Sequence, residues 1–420
     1  MIFFVALVLG LLLAANHAVS RNLLYPPTVF TGVWLLSIVA LIFSGDAYYP
    51  VSGETLMVYL IGAMAFSAGG FVILAGLSNG DIKRSAFTAI QLTRRHRVLD
   101  FVLLMVVIGL PFYLQKSTAG VDLSDPMFWA NLRTVALEVS DTSQRSFDLV
   151  NNLAILSIFL AMSMHYENDG TFPRKWRCYL AILLALIYGA AQGTKGNVVT
   201  LILTLVFISS MRAGRLNFVV MGSAVLLSLA IFTIALAFSN FAYMDLQASV
   251  ETLKFLAENT RDYWLGGVVA FDHIVHDPNS IPSTQKLSRF FLETANGFGA
   301  NFQLPNNNPA FTNISESRST NVYTIYCSYF KIYGWFGVAS GLSMLGVVLT
   351  WVYAKARKGN PGAILFYGAN ITGLVLSVQA GHFVLALNFY IKMLIFFCFV
   401  YYGSALFRLT GSASRIRRHA

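Results

Sequence analysis

Apolar runs of nearly membrane-spanning length recur from one end of this 420-residue chain to the other, and they leave it few ways to fold. A bilayer core takes about 20 mainly apolar residues per helix, and in lipid every backbone polar group must be satisfied within the spanning structure. The runs fall at residues 2–16, 28–45, 56–77, 97–114, 148–165, 177–193, 197–211, 217–240, 333–354, 362–380 and 383–406, eleven in all. Hydrophobic residues are 56% and charged residues 11% of the chain, against about 25% charged in a soluble domain. The expectation is an all-α polytopic membrane protein of about eleven transmembrane helices. The stretch Ile2 to Ala15 lacks a basic flank and reads as a short first span, not a cleaved signal. The short runs 177–193 and 197–211 read as a tight hairpin around Gly193-Thr194-Lys195-Gly196.

The net charge of +10 would suggest nucleic acid in a soluble protein. Here the cations sit in short loops, as membrane orientation requires, and no nucleic-acid partner is expected. Lys83, Arg84, Arg94, Arg95 and Arg97 mark one loop as cytoplasmic. Alternation then places Arg21, the Arg174–Arg177 loop, Arg212 with Arg215, the Lys355–Lys358 loop and the basic tail on that side. The opposite loops carry most of the acids, including all eight between Asp245 and Glu316. The N-terminus is therefore expected outside the cytoplasm and the C-terminus inside it.

Between the eighth and ninth runs lies the longest stretch that is not a span. Segments this long are usually functional or disordered, and this one is too rich in aromatic and aliphatic residues for disorder. Three parts follow: a bundle over 1–240 with an interfacial helix near 126–139, an extracytoplasmic segment over 241–332 roofing an active site, and further spans with a basic tail over 333–420. On that face ATP is absent. The Gly193-Thr194-Lys195-Gly196-Asn197 stretch lacks the strand and spacing of a phosphate loop. The three cysteines are far apart, no metal-ligand spacing occurs, and neither a metal nor a cofactor is expected.

Several short elements appear in a particular order. Arg21-Asn22-Leu23-Leu24-Tyr25-Pro26-Pro27 leads into a span containing Trp34, and Gly193-Thr194-Lys195-Gly196-Asn197 caps the hairpin. Tyr263-Trp264-Leu265-Gly266-Gly267 precedes Phe271-Asp272, and Asn321-Val322-Tyr323-Thr324 precedes Tyr333-Gly334-Trp335-Phe336-Gly337. This order resembles the bacterial O-antigen polymerase family and, more broadly, C-type membrane glycosyltransferases. The resemblance implies glycosyl transfer outside the cytoplasm, from a glycan on undecaprenyl diphosphate to a lipid-linked repeat unit, alongside a chain-length regulator. It assigns Lys195, Asn321 and Tyr323 to substrate binding. Lys195 stands where the family pattern implies arginine, which keeps the charge but not the bidentate fork.

Such a transfer needs cations on the leaving diphosphate and a group that positions or deprotonates the acceptor hydroxyl. Arg261, Arg289 and Arg318 lead for the first role. Against it stand local pairings: Arg261 with Glu258 or Asp262, Arg289 with Glu293, Arg318 with Glu316. Arg318 is the one that helix pairing explains least. Arg145 abuts a span and can reach the cleft. Lys392, about ten positions into the last run with Asn388 one turn earlier, reads as a mid-bilayer cation. His382, at the outer mouth of that span, is the expected acid–base group. The aromatics Tyr263, Trp264, Tyr323, Tyr326 and Tyr329 suit either stacking on sugars or an interfacial belt, and most of them read as the belt. An O-antigen ligase, a lipid-sugar flippase or transporter, and a non-catalytic scaffold remain open. A transporter would show span repeats and midplane charges, and a scaffold would tolerate neutral replacements of the three arginines.

Overall fold

The computed structural model describes residues 1–76, 89–119, 131, 149–191, 195–241, 250–277, 288–297, 299–303, 311–381, 383 and 386–416. Their helices are α1 (Ile2–Ser20), α2 (Pro26–Phe43), α3 (Gly53–Gly76), α4 (Ala89–Ser117), α5 (Leu149–Glu167), α6 (Phe172–Ala191), α7 (Lys195–Ala213), α8 (Phe218–Phe241), α9 (Val250–His276), α10 (Ser288–Gly297), α11 (Ile325–Arg357), α12 (Pro361–Val375) and α13 (Leu387–Ile416). The strands β1 (Thr312–Asn313) and β2 (Ser319–Thr320) form one antiparallel hairpin, Thr312 facing Thr320. The protein is an all-α membrane protein. Among the described residues, six helical stretches are long and apolar enough to cross a bilayer: Ile2–Ser20, Pro26–Phe43, Gly53–Gly76, Arg95–Ser117, Tyr333–Arg357 and Pro361–Val378. Shorter apolar helices cover Val198–Ala213, Phe218–Ser228 and Leu387–Tyr402. The interfacial helix expected near 126–139 lies outside the described residues, apart from residue 131.

Helix boundaries follow local chemistry. Pro26 and Pro27 open α2, where a missing N–H costs nothing. Asn360 caps α12 by accepting from the Ala363 N–H at 3.0 Å, with Pro361 as the first helical residue. At Tyr333-Gly334 the long α11 bends sharply: Gly334 has φ 56° and ψ −137°, a conformation that glycine adopts at least cost. The aromatic–glycine element of the sequence is thus a kink, and helical structure begins at Ile325, eight residues before the expected span.

Glycines let α3 and α11 meet backbone to backbone. A Cβ on Gly69 would lie 2.1 Å from the Ser343 carbonyl oxygen, and one on Gly346 would lie 2.2 Å from that of Phe66. Small residues are what permit such approach between apolar helices. Buried polar side chains tie α1, α2 and α3 together, with Asn16 Nδ2 3.1 Å from Thr31 Oγ1 and 3.0 Å from Ser67 Oγ. An aromatic core joins α2, α3, α9 and α11. Trp34 lies 4.7 Å from Tyr59 and 4.6 Å from Tyr326 between ring centroids, and Phe271 lies 5.5 Å from Tyr59.

The short basic segments gather at one end of the bundle. There Arg177 pairs with Asp100 at 3.1 Å, buried Arg95 lies 3.8 Å from Glu167 and over the Tyr401 ring, and Arg212 donates to the His165 and Asn168 carbonyls. Tyr402 bonds Asn360, and Tyr367 donates to the Leu24 carbonyl, linking the remaining helix ends. We call this the basic end. The segment 44–52, α9, the hairpin and residues Leu376–Val378 lie at the other.

Candidate functional site

The stretch after α8 is largely helix. The 27-residue α9 is amphipathic, with Leu265, Val268, Val269, Phe271, Ile274 and Val275 buried on one side. Glu251 in its first turn and His273 and His276 in its last suit the helix dipole. The pair Gly266-Gly267 brings it close to its neighbours. A Cβ on Gly267 would lie 2.8 Å from the Val378 carbonyl oxygen, and one on Gly266 would lie 3.2 Å from Ile314. Two polar clamps fix α9 to the bundle: Trp264 Nε1 donates to Ser37 Oγ at 3.1 Å, and Tyr59 donates to the Val268 carbonyl at 2.7 Å.

Asp272 forms a third clamp. Its Oδ1 accepts from the Ser52 N–H at 2.9 Å and from the Ser52 and Thr55 hydroxyls at 2.6 Å each, at the start of α3. One turn on, His276 Nδ1 lies 2.8 Å from the Asp272 carbonyl oxygen and 3.7 Å from its carboxylate. The hydrogen bond to that carbonyl, aided by the carboxylate, raises the imidazole above its ordinary pKa. The contact therefore stabilises most below the ordinary imidazole value and fades as pH rises through the raised one. Because His276 is half exposed, less than about 1 kcal/mol is expected. Melting curves of the protein and its His276→Gln variant should differ at about pH 5 and coincide at about pH 9; an equal gap at both would show that the proton is irrelevant.

On the polar side of α9, Glu258, Arg261 and Asp262 share one face through i, i+3 and i+4 spacing. Arg318 is delivered to them by the hairpin. The Ile314 N–H donates to the Arg318 carbonyl at 2.9 Å, and the Tyr49 N–H donates to the Ile314 carbonyl at 2.8 Å, so the turn is bound to segment 44–52. The Arg318 guanidinium then donates to Glu258 Oε2 at 2.8 Å and Asp262 Oδ1 at 3.2 Å. Tyr48 donates to the same Asp262 oxygen at 2.6 Å. Burial, then the Asp262 carboxylate, pushes the Tyr48 hydroxyl up, so it remains a donor. Arg261 lies with its guanidinium carbon 5.4 Å from the Tyr48 ring centroid and its Nε 3.9 Å from Asp262 Oδ1. The result is a charge-balanced group of two arginines and two carboxylates at the rim, with Arg261 the more loosely engaged cation.

This arrangement corrects several expectations. Arg318, thought the least explained by pairing, is the most thoroughly paired, and its partners are Glu258 and Asp262, not Glu316. Tyr323 is 1% exposed with its hydroxyl 2.6 Å from Thr312 Oγ1, and Tyr326 is buried and donates to the Tyr59 carbonyl. These two tyrosines belong to the core, neither to an interfacial belt nor to a sugar-stacking face. Asn321 sits beyond β2, part-buried, three residues from Arg318. Lys392 is on the second turn of α13, which starts at Leu387, and its Nζ donates to Asn152 Oδ1 at 2.7 Å. Lys195 is the first residue of α7 and Arg289 the second of α10, but both side chains lie outside the described set. His382 and Arg145 lie outside the described residues altogether. Sequence reasoning had assigned Glu258 and Asp262 to Arg261 and missed that they frame Arg318. Their i, i+4 spacing was legible, but their long-range partner was not.

Compared with protein-family models, curated proteins and solved structures, the chain matches none.

Proposed function

We propose that the chain is a membrane glycosyltransferase of the O-antigen polymerase type, acting on the periplasmic face of a bacterial inner membrane. In this reading eleven helices span the bilayer, with the basic end in the cytoplasm. The observation that carries it is the Arg261–Arg318 group, set by two carboxylates on an amphipathic helix that is bound across the bundle end opposite the basic loops. Transfer from a lipid diphosphate puts its developing charge where such cations are effective. The acceptor hydroxyl oxygen attacks the anomeric carbon and loses its proton, while the bond from that carbon to the phosphate oxygen breaks and the electron pair leaves on undecaprenyl diphosphate. Arg261 meets the diphosphate, with Arg289 and Lys195 as further ligands from the sequence reading. Arg318 fixes the carboxylate frame, and His382 is the group assigned to the hydroxyl.

Deleting the gene should collapse the laddered surface polysaccharide of the source cells to a single repeat unit. An unchanged ladder would refute the reading. Loss of every band, the single unit included, would identify a ligase or flippase instead.

A further inference from the structure

Near the basic end, α13 is flanked by two apolar grooves, each of about 450 Å³. One runs against α11 and α12 and is lined by Val348, Trp351, Phe366, Leu394 and Phe397, with Lys355 at its mouth. The other runs against α4 and α5 and is lined by Phe101, Met105, Leu156, Phe396 and Phe399, with Arg97 at its mouth. The size is that of a ligand site, for which about 300–1,000 Å³ is usual. Each groove extends roughly 10–12 Å along a helix, at 1.5 Å per residue from Val348 to Lys355 or from Arg97 to Met105.

The chemistry is the same on both sides. The walls are almost entirely apolar, and among the described residues one cation lines each groove, at the basic end. Lys355 Nζ lies 5.6 Å from the centroid of the Trp351 ring, the pairing of cation and indole found where a helix leaves the hydrocarbon. Lys358 and Arg357 follow it, exposed. Water in these grooves would find almost no polar partner, whereas an acyl chain needs none, and a headgroup phosphate would then meet the cation at the mouth.

We infer that α13 is seated between two anionic phospholipids of the leaflet at the basic end, their acyl chains in the two grooves and their phosphates at Lys355 and Arg97. This rests on the membrane-spanning architecture alone and is independent of the proposed glycosyl transfer. A surface cation near an anionic lipid contributes roughly a five-fold preference over a zwitterionic one.

The test uses the full chain, purified and delipidated in detergent, then titrated with phosphatidylglycerol or phosphatidylcholine of identical acyl chains and read by native mass spectrometry. Two phosphatidylglycerol molecules should be retained per chain, about five-fold more tightly than phosphatidylcholine at each site. Lys355→Gln and Arg97→Gln, both at exposed positions, should each remove the headgroup preference at one site and leave the other. Ala363→Phe, which fills the first groove, should remove one bound molecule of either lipid while the Arg97 site persists. Equal retention of the two lipids by the unaltered chain, or a full complement on Ala363→Phe, would overturn the inference.

Discussion

Arg261→Gln is expected to abolish extension of the glycan while the protein persists in the membrane at its normal level. Two arginines stand together, but they are not equivalent. The Arg318 guanidinium is engaged by two carboxylates at 2.8 and 3.2 Å, so a diphosphate would have to displace contacts already made. Arg261 approaches Asp262 only to 3.9 Å and otherwise rests on the Tyr48 ring, with a third of its side chain exposed. It can turn its fork to an anion without breaking a close pair. Loss of one preorganised charge at a developing oxyanion costs roughly 10²–10³ in rate. Arg261→Lys should recover only part of this, because an ammonium lacks the bidentate geometry. The readout is lipid diphosphate released per unit of membrane protein, with the polysaccharide ladder alongside. Arg318→Ala should also reduce activity, but it should lower the melting temperature too, since it leaves Glu258 and Asp262 facing each other without their bridge. A full ladder from Arg261→Gln would move the diphosphate site elsewhere.

Gly69→Leu is expected to prevent accumulation of folded protein. The position allows no local escape: a Cβ there meets the Ser343 carbonyl oxygen at 2.1 Å and the Val347 nitrogen at 3.1 Å, both main-chain atoms that no rotamer change can move. Gly346 presents the reciprocal contact on α11. Overpacking usually costs about 1–3 kcal/mol where neighbours can shift; Gly69→Ala should reach at least that range, and leucine should exceed it because two long helices must separate. Gly76→Ala is the control, since nothing lies within 4 Å of a Cβ at that position. The measurement is the fraction of detergent-extracted protein eluting as a single folded peak. Wild-type behaviour of Gly69→Leu would mean that α3 and α11 are further apart than described.

The two predictions also show which features could be read without the fold. The eleven apolar runs each overlap a helix, because an apolar segment in lipid must satisfy its backbone hydrogen bonds within itself, whatever its neighbours do. The gathering of the basic loops was legible for the same reason: alternation follows from counting spans. Local pattern went wrong where it chose partners. Glu316 is two residues from Arg318 and Glu258 is sixty, yet the hairpin turn bound to segment 44–52 carries Arg318 to the latter. Tyr323 and Tyr326 looked like belt residues because an aromatic near a span end is ordinarily at the interface; here Tyr326, in the part of α11 before its kink, and Tyr323, just ahead of that helix, both pack into the core.

Hydropathy and charge spacing by themselves therefore determined that this chain is a bundle of apolar helices whose described short basic loops share one end, since transfer to lipid acts on each segment separately. Only the tertiary structure decided which carboxylates frame Arg318, which arginine is left loosely held, which glycines bring α3 and α11 into main-chain contact, and where grooves remain beside α13. Those depend on contacts between residues far apart in sequence, whose energies arise only once the helices have packed.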